Sequence, residues 1–263
     1  MKFLRYASLC LVLFTAAFIT SCKKDEDALF PGNPDKPEAS LGQLDVVFDH
    51  VVGSSPLQLS NPEPYRTLEG DQFTVTTFRY YISNIKLRKA DGTEFVQPES
   101  YYLLDEAQPA SKSFTIPNIP VGSYNSITFT IGVDAARSTG GAQTGALAVG
   151  DMFWTWDTGY IHTKLEGRSP QSRNGAIVFH IGGFRDPHNT IRVISPVLGN
   201  AIQIRESRTP ELRIKADVLK MFTGPSPIRF ATINNIMVSG PSAAQVANNQ
   251  AAGMFTIDRI TDR

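Results

Sequence analysis

The chain has 263 residues, and its basic and acidic side chains balance, with 25 of each. Without a basic stripe or a strong net charge, the composition argues against a nucleic-acid-binding protein. Its two cysteines, Cys10 and Cys22, both lie near the N-terminus. The rest of the chain therefore has no thiol for a disulfide, for a cysteine-based metal site or for a nucleophile.

The first 21 residues have the layout of a secretory signal peptide. Lys2 and Arg5 give a positive start, residues 9–19 are almost wholly apolar, and small residues then precede Cys22. The apolar run is shorter than the roughly 20 residues that a membrane-spanning helix needs. We therefore expect residues 1–21 to be removed on export.

The residues Ile19-Thr20-Ser21-Cys22 resemble the lipobox of bacterial lipoproteins, in which the cysteine becomes lipid-modified after cleavage. The charged residues 23–27 resemble the segment that marks many Bacteroidetes lipoproteins for the cell surface. Acyl chains bind a membrane at about 0.8 kcal/mol per buried CH₂, so lipid on Cys22 would anchor the protein. We expect an outer-membrane lipoprotein, on the periplasmic side or at the cell surface. The alternative is a plain signal peptide with an incidental cysteine.

Residues 22–42 are predicted to form the lipidated cysteine and a flexible tether. Pro31, Pro34 and Pro37 break any regular element there, and charged side chains dominate between them. The remaining residues, 43–263, are long enough to bury one sizeable core and are predicted to be a single domain.

This domain is predicted to consist of short strands. In the first, Leu44, Val46 and Phe48 alternate with polar residues at the period of a half-buried strand. Asp91-Gly92, between two apolar runs, is a strong hairpin signal. Further strands are predicted at 73–87, 93–96, 101–104, 113–116, 127–133, 152–156, 160–165, 176–181, 190–197, 201–205, 212–218 and 255–257.

Helical signals are few. Residues 135–150 are rich in Gly, Ala and Thr and are predicted to be a loop with room for a helical turn. Short helical segments are predicted at 219–222 and 242–249. Many short strands without a long helical periodicity favour an all-β fold. We predict an antiparallel β-sandwich of immunoglobulin-like type with a few short helical segments.

No local motif indicates an enzyme. The sequence lacks a Gly-rich phosphate loop, a His-Glu-x-x-His pair and a Gly-x-Ser-x-Gly turn. Ser, His and Asp are present, but no spacing singles out a catalytic triad. We expect the protein not to be an enzyme.

Two of the four histidines are candidate site residues. His50 continues the inward phase of its strand, and His180 lies on a strand flanked by small residues. A buried imidazole needs a partner, because an unpaired polar group costs about 1–3 kcal/mol. The two are either satisfied core histidines or ligands of a shared metal site, since imidazole suits copper, zinc and iron. His162 and His188 are predicted to be surface residues.

Both tryptophans of the chain, Trp154 and Trp156, lie in one predicted strand. At positions i and i+2 they project from the same face, and core packing is the simplest interpretation. Nearby Met152 is predicted to pack, with a thioether metal ligand as the alternative. Asp134 is predicted to be a turn or capping carboxylate, with a metal ligand as the alternative.

A set of short motifs resembles the MbnP-like copper-binding domain family. Each motif is weak alone, but their order and spacing across about residues 44–255 make the set specific. The matching pieces are Phe48-Asp49-His50, residues 80–87, Ile131-Gly132-Val133-Asp134, residues 152–160 with Leu165-Glu166-Gly167, Phe179-His180-Ile181-Gly182 and, more weakly, Ala247-Asn248-Asn249.

The resemblance implies a β-rich periplasmic or surface protein that handles copper. It also implies a dihaem partner of the cytochrome c peroxidase type, which oxidises a tryptophan to kynurenine. In related copper proteins, histidines and the kynurenine amine hold the metal. Carried over to this chain, the implied ligands are His50 and His180, and the implied oxidation site is Trp154 or Trp156. The alternative function is a surface β-sandwich that binds a glycan or another non-metal ligand, or acts in adhesion.

Overall fold

The computed structural model of the protein describes residues 40–155 and 158–262. The predicted signal peptide, the lipidation site Cys22, almost all of the predicted tether and Trp156 lie outside these ranges. No helix within them combines the length and the apolar character that crossing a bilayer requires. The first strand begins at Leu41, two residues before the predicted start of the domain.

Strands dominate the described ranges, with a few short helices between them. The strands are β1 (Leu41–Val52), β2 (Ser55–Pro56), β3 (Tyr65–Arg66), β4 (Gln72–Lys89), β5 (Glu94–Val96), β6 (Tyr101–Asp105), β7 (Ser113–Pro120), β8 (Gly122–Ile131), β9 (Phe153–Thr155), β10 (Gly159–Arg168), β11 (Ala176–Gly182), β12 (Arg192–Ile194), β13 (Ile202–Ile204), β14 (Pro210–Asp217), β15 (Asn235–Ile236) and β16 (Phe255–Asp262). The helices are α1 (Ala135–Thr139), α2 (Lys220–Thr223) and α3 (Pro241–Gly253), with 3₁₀ turns at Pro109–Lys112 and Gly145–Leu147.

The strands form two sheets. The smaller has the order β16-β14-β1-β2, with β7 also paired to β1. The larger follows the path β12-β8-β4-β10-β11-β15, with five short strands paired alongside it. The predicted all-β sandwich is confirmed, but it is not wholly antiparallel, because β1 runs parallel to β14 and β11 runs parallel to β15.

The long strand β4 pairs with β10 in its first half and with β8 in its second. Its pairing register shifts opposite Glu166/Gly167 and again between Ser83 and Lys86, near Asn84, whose φ is +53°. Each bulge inserts one residue and so moves the inward-facing side chains by one position. The side chains that β4 contributes to the main core are therefore Phe73 and Val75, then Phe78, Tyr80 and Ile82, then Ile85 and Leu87.

The main core lies between the sheets, with Phe48 of β1 among its contacts. The Phe48 ring packs against the rings of Tyr80, Phe129 and Phe255, with centroid distances of 6.2–6.3 Å. Helices α2 and α3 add further buried apolar side chains, including Phe222. These contacts fix which face of β4 points inward.

A second apolar cluster, called here the outer cluster, covers the opposite face of the larger sheet. Its buried members are Tyr81, Val133, Leu147, Met152, Tyr160 and Ile161. The Tyr81 hydroxyl donates to the Ala146 carbonyl at 3.1 Å, and the Tyr160 hydroxyl donates to the Leu147 carbonyl at 2.5 Å. The predicted loop at 135–150, which contains α1 and a 3₁₀ turn, is thereby tied to the sheet.

Candidate functional site

His50 faces the core, as its phase with Leu44, Val46 and Phe48 predicts, and is 4% exposed. Its Nδ1 is 2.8 Å from a carboxylate oxygen of Glu106, and its Nε2 is 2.9 Å from the Tyr80 hydroxyl. Burial lowers the pKa of His50, although Glu106 opposes the shift, so the ring is neutral near pH 7. An ionised carboxylate only accepts, so Nδ1–H donates to Glu106 and Nε2 accepts from Tyr80.

Both ring nitrogens of His50 are therefore engaged. Lys112 also donates to Glu106 at 2.7 Å, which holds the carboxylate in place. A cleft of about 530 Å³ borders this group. His50 would have to give up one hydrogen bond to bind a metal.

His180 points away from the main core. It pairs with Lys164 of β10, which pairs with Arg79 of β4. Paired residues share a face of the sheet, and their neighbours Phe179 and Leu165 belong to the core on the other face. His180 therefore lies on the same face as the outer cluster, where it is 7% exposed.

The His180 imidazole has one carboxylate partner. Its Nε2 is 2.8 Å from Oε1 of Glu166, and no described residue hydrogen-bonds its Nδ1. Burial raises the pKa of Glu166, but the hydrogen bond from His180, with Lys164 and Thr77, outweighs burial and holds that pKa below its usual value. With Glu166 ionised, Nε2–H donates and the lone pair of Nδ1 is available to a ligand.

The structure does not bring the two predicted ligands together. The His50 ring lies 5.0 Å from the ring of Phe78, on the core face of the larger sheet, whereas His180 lies on its other face. Within residues 40–155 and 158–262, no group of three or more His, Cys, Asp and Glu side chains is arranged to hold a metal. Each histidine stays a separate prediction as a metal ligand.

Trp154 lies on the same face as His180. Its strand β9 pairs with β10, and its half-buried indole packs against the outer cluster. Two atoms of its six-membered ring lie 2.9 and 3.2 Å from where a Cβ on Gly182 would be. Gly182 follows His180 by two residues on β11, so the indole and the imidazole are neighbours on one face. The other tryptophan, Trp156, lies outside the described residues.

We expect the packing of the Trp154 indole to require glycine at position 182. In a Gly182→Ala variant, the new methyl group would lie 2.9 Å from the Trp154 ring and 2.6 Å from the Tyr160 carbonyl oxygen, and the carbonyl belongs to a paired strand. We expect a red-shifted tryptophan emission and a loss of stability of about 1–3 kcal/mol. Gly199→Ala is the control, since nothing lies within 4 Å of its Cβ position. Unchanged emission in Gly182→Ala would contradict this geometry.

The prediction that His162 is a surface residue is wrong. The residue is 1% exposed, and its Nδ1 is 2.9 Å from the Thr190 hydroxyl. It lies at a bulge in the pairing of β10 with β11. Its ring also fills the space beside Gly132, where a Cβ would lie only 2.7 Å from the imidazole. The bulge in β10 and the absence of a side chain on Gly132 together make room for the buried His162 imidazole, which strand alternation alone does not predict.

The remaining candidates divide between packing and capping. Met152 is buried in the outer cluster, as its packing interpretation predicts. Asp134 caps α1 by accepting from the Arg137 backbone N–H at 3.1 Å, and it also accepts from the Tyr101 hydroxyl at 2.6 Å. The capping prediction is confirmed. His188 lies half-buried in the predicted turn rather than fully exposed.

Sequence reasoning missed the carboxylates that hold the two imidazoles. Glu106 follows β6, and no local pattern connects it to His50, 56 residues away. Glu166 had a weak signal, since it lies two residues after Lys164 on the same face of β10 and directly follows the buried Leu165. An acidic residue at such a position indicates a partner on the adjacent strand.

The described ranges therefore form a β-sandwich whose larger sheet carries a histidine, a carboxylate and a tryptophan together on its outer face. A sequence profile of the MbnP family matches residues 41–238, and the chain belongs to the MbnP family. The solved structure of MbnP from Methylosinus trichosporium is similar, with a TM-score of 0.52 and 14% identity over 82% of this chain and 98% of that one. At this identity the likeness shows the fold alone. No curated protein matches.

Proposed function

We propose that this protein binds copper at the cell envelope and serves in copper acquisition or handling. Membership of the MbnP family supports a copper-related role. The observation that carries the proposal is the imidazole of His180, held through Nε2 by Glu166 beside the indole of Trp154. Copper is the cargo, and we propose no catalytic activity for the protein.

The side chains on this face fit copper if the tryptophan is modified. Cu(I) accepts two or three neutral donors, and the Nδ1 of His180 is one of them. An intact indole is a poor ligand, because its nitrogen lone pair belongs to the ring. Conversion of Trp154 to kynurenine is a four-electron oxidation that would open the five-membered ring, release one ring carbon as formate and free an aromatic amine beside His180. Trp156 is the second candidate for this conversion.

The conversion needs an external oxidant, and we propose a dihaem cytochrome c peroxidase-like partner. Lipid on Cys22 would anchor the protein to the outer membrane, where exported haem proteins and incoming copper can both reach it. Two anchoring signals are generally needed for stable attachment, and bacterial lipoproteins carry more than one acyl chain.

Copper binding can be tested by titrating the full-length protein, coexpressed with the haem partner, with Cu(I) against a competing chelator. We expect His180→Ala to weaken binding by at least about 10-fold, since even outer-shell partners of metal ligands are worth 10–100-fold. We expect His50→Ala to leave the affinity unchanged, because both nitrogens of His50 are already engaged.

Mass spectrometry of the peptide containing Trp154 and Trp156 provides the control for the modification. It should show one oxygen gained and one carbon lost only when the partner is present. Unchanged affinity in both histidine variants would overturn the copper assignment. If His50→Ala alone loses Cu(I) binding while its fold stays intact, the copper site lies on the core face of the larger sheet and not on its outer face.

A further inference from the structure

The part of the chain that the structure describes contains two histidine–carboxylate pairs that differ in one respect. In the His50–Glu106 pair, the second ring nitrogen is occupied by the Tyr80 hydroxyl. In the His180–Glu166 pair, no described residue bonds the second nitrogen. A histidine that binds a metal commonly donates its other N–H to a carboxylate, which sets the tautomer and the ring orientation. Of these two pairs, only His180–Glu166 combines a carboxylate partner on one ring nitrogen with a second ring nitrogen that no described residue bonds.

We propose that Glu166 is the positioning residue for copper: by accepting from Nε2–H of His180, it fixes the neutral tautomer whose Nδ1 faces the metal. This inference rests on the proposed function and names a residue that acts through the ligand. Glu166 itself does not need to touch copper.

Glu166 is held by more than its bond to His180. The Thr77 hydroxyl donates to its second carboxylate oxygen at 3.3 Å, so each oxygen has its own partner. Lys164 Nζ lies 3.8 Å from the first oxygen. Thr77 pairs directly with Glu166 across β4 and β10. Contacts from two strands therefore fix the carboxylate plane and, through it, the imidazole.

A charged network extends from this pair toward the tryptophan-bearing strand. Lys164 also lies 3.4 Å from Asp151, and Asp151 accepts from Arg79 at 2.7 Å. Asp151 precedes β9 by two residues, and β9 carries Trp154. Lys164 thus connects Glu166 to the residues that precede β9. The same group of charged side chains therefore contacts both the partner of His180 and the segment that carries Trp154.

The inference predicts a specific effect of Glu166→Gln on copper affinity. A Gln amide can donate to Nε2, which favours the opposite tautomer, with the proton on Nδ1 and no lone pair for the metal. We expect Cu(I) to bind the full-length Glu166→Gln protein about 10–100-fold more weakly than wild type. Glu106→Gln makes the same change at the other pair and should leave the affinity unchanged. Equal losses in the two variants would overturn the inference.

A second readout does not depend on copper. The ¹⁵N chemical shifts of the His180 ring in the metal-free protein should report a proton on Nε2 in wild type and on Nδ1 in Glu166→Gln. A proton on Nδ1 in the wild-type protein would overturn the inference even if copper binds. Failure of the wild type to bind copper would overturn the proposed function, and the tautomer result would still show whether Glu166 sets the ring.

Glu166→Asp provides the conservative variant if Glu166→Gln does not fold. Asp keeps an ionised acceptor on a shorter side chain, so the Nε2–H tautomer should persist. We expect a smaller loss of copper affinity than in Glu166→Gln. A loss as large as that of Glu166→Ala would show that the carboxylate charge does not set the tautomer and would overturn the inference.

Discussion

Replacing Phe48 with alanine is expected to lower the free energy of unfolding by about 3–5 kcal/mol. The side chain is 2% exposed and contacts the rings of Tyr80 and Phe129 from the larger sheet and the ring of Phe255 from β16. These neighbours belong to three strands that are each fixed by their own pairing. They cannot collapse into the space left by the ring, so both the transfer free energy and the cavity contribute.

The measurement is urea unfolding, followed by circular dichroism, of wild type and Phe48→Ala. Phe114→Ala is the matched control, because Phe114 stacks on Phe48 at 6.2 Å but is only half-buried on β7. We expect a clearly smaller loss in the control. Similar losses in the two variants would show that Phe48 has no special position in the core.

Acidification is expected to produce the second large effect, through His162. Burial lowers its pKa from 6.5 to about 4, and the nearby Val133 backbone only partly opposes this shift. The unfolded chain therefore binds a proton at a higher pH than the folded one. The stabilisation is fully present above pH 6.5 and is lost as the pH falls toward 4. At 1.36 kcal/mol per pKa unit, the loss is about 3 kcal/mol.

Urea unfolding between pH 7 and pH 4 checks this expectation. The pKa of His50 is also lowered by burial, so it contributes in the same direction. His162→Gln should therefore flatten the pH dependence without abolishing it. His188→Gln, in the half-buried turn, is the matched control for replacing a histidine by glutamine. A pH profile of His162→Gln identical to that of wild type would contradict the assignment.

The strand pattern predicted much of the fold because alternation is a local property. The inward phase of Leu44, Val46 and Phe48 places His50 correctly. The same reasoning could have oriented His180, since its neighbours Phe179 and Ile181 are core residues and it must point the other way. From the residues alone a shared site is one of two alternatives for histidines on buried strands, and the family resemblance is what implies it. The second apolar layer, the outer cluster, explains how a residue can be buried while facing away from the main core.

Other features depend on contacts that alternation does not contain. The bulges of β4 do leave a trace in the sequence, because the spacing of its apolar residues changes between Val75 and Phe78 and again after Ile82. The burial of His162 has no comparable trace. It requires that Gly132, 30 positions earlier in the chain, arrives beside the imidazole. Only the assembled sheet brings these residues together.

The way in which the loop at 135–150 is attached has a consequence for sequence variation. Tyr81 and Tyr160 hold this loop through main-chain carbonyls at Ala146 and Leu147, not through side chains of the loop. The attachment itself makes little demand on side chains at the 3₁₀ turn, where Leu147 is buried and Gly145 has a φ of +61° that favours glycine. Related chains can thus diversify this stretch, and with it the surface next to the tryptophan, while the two tyrosines keep the backbone in place.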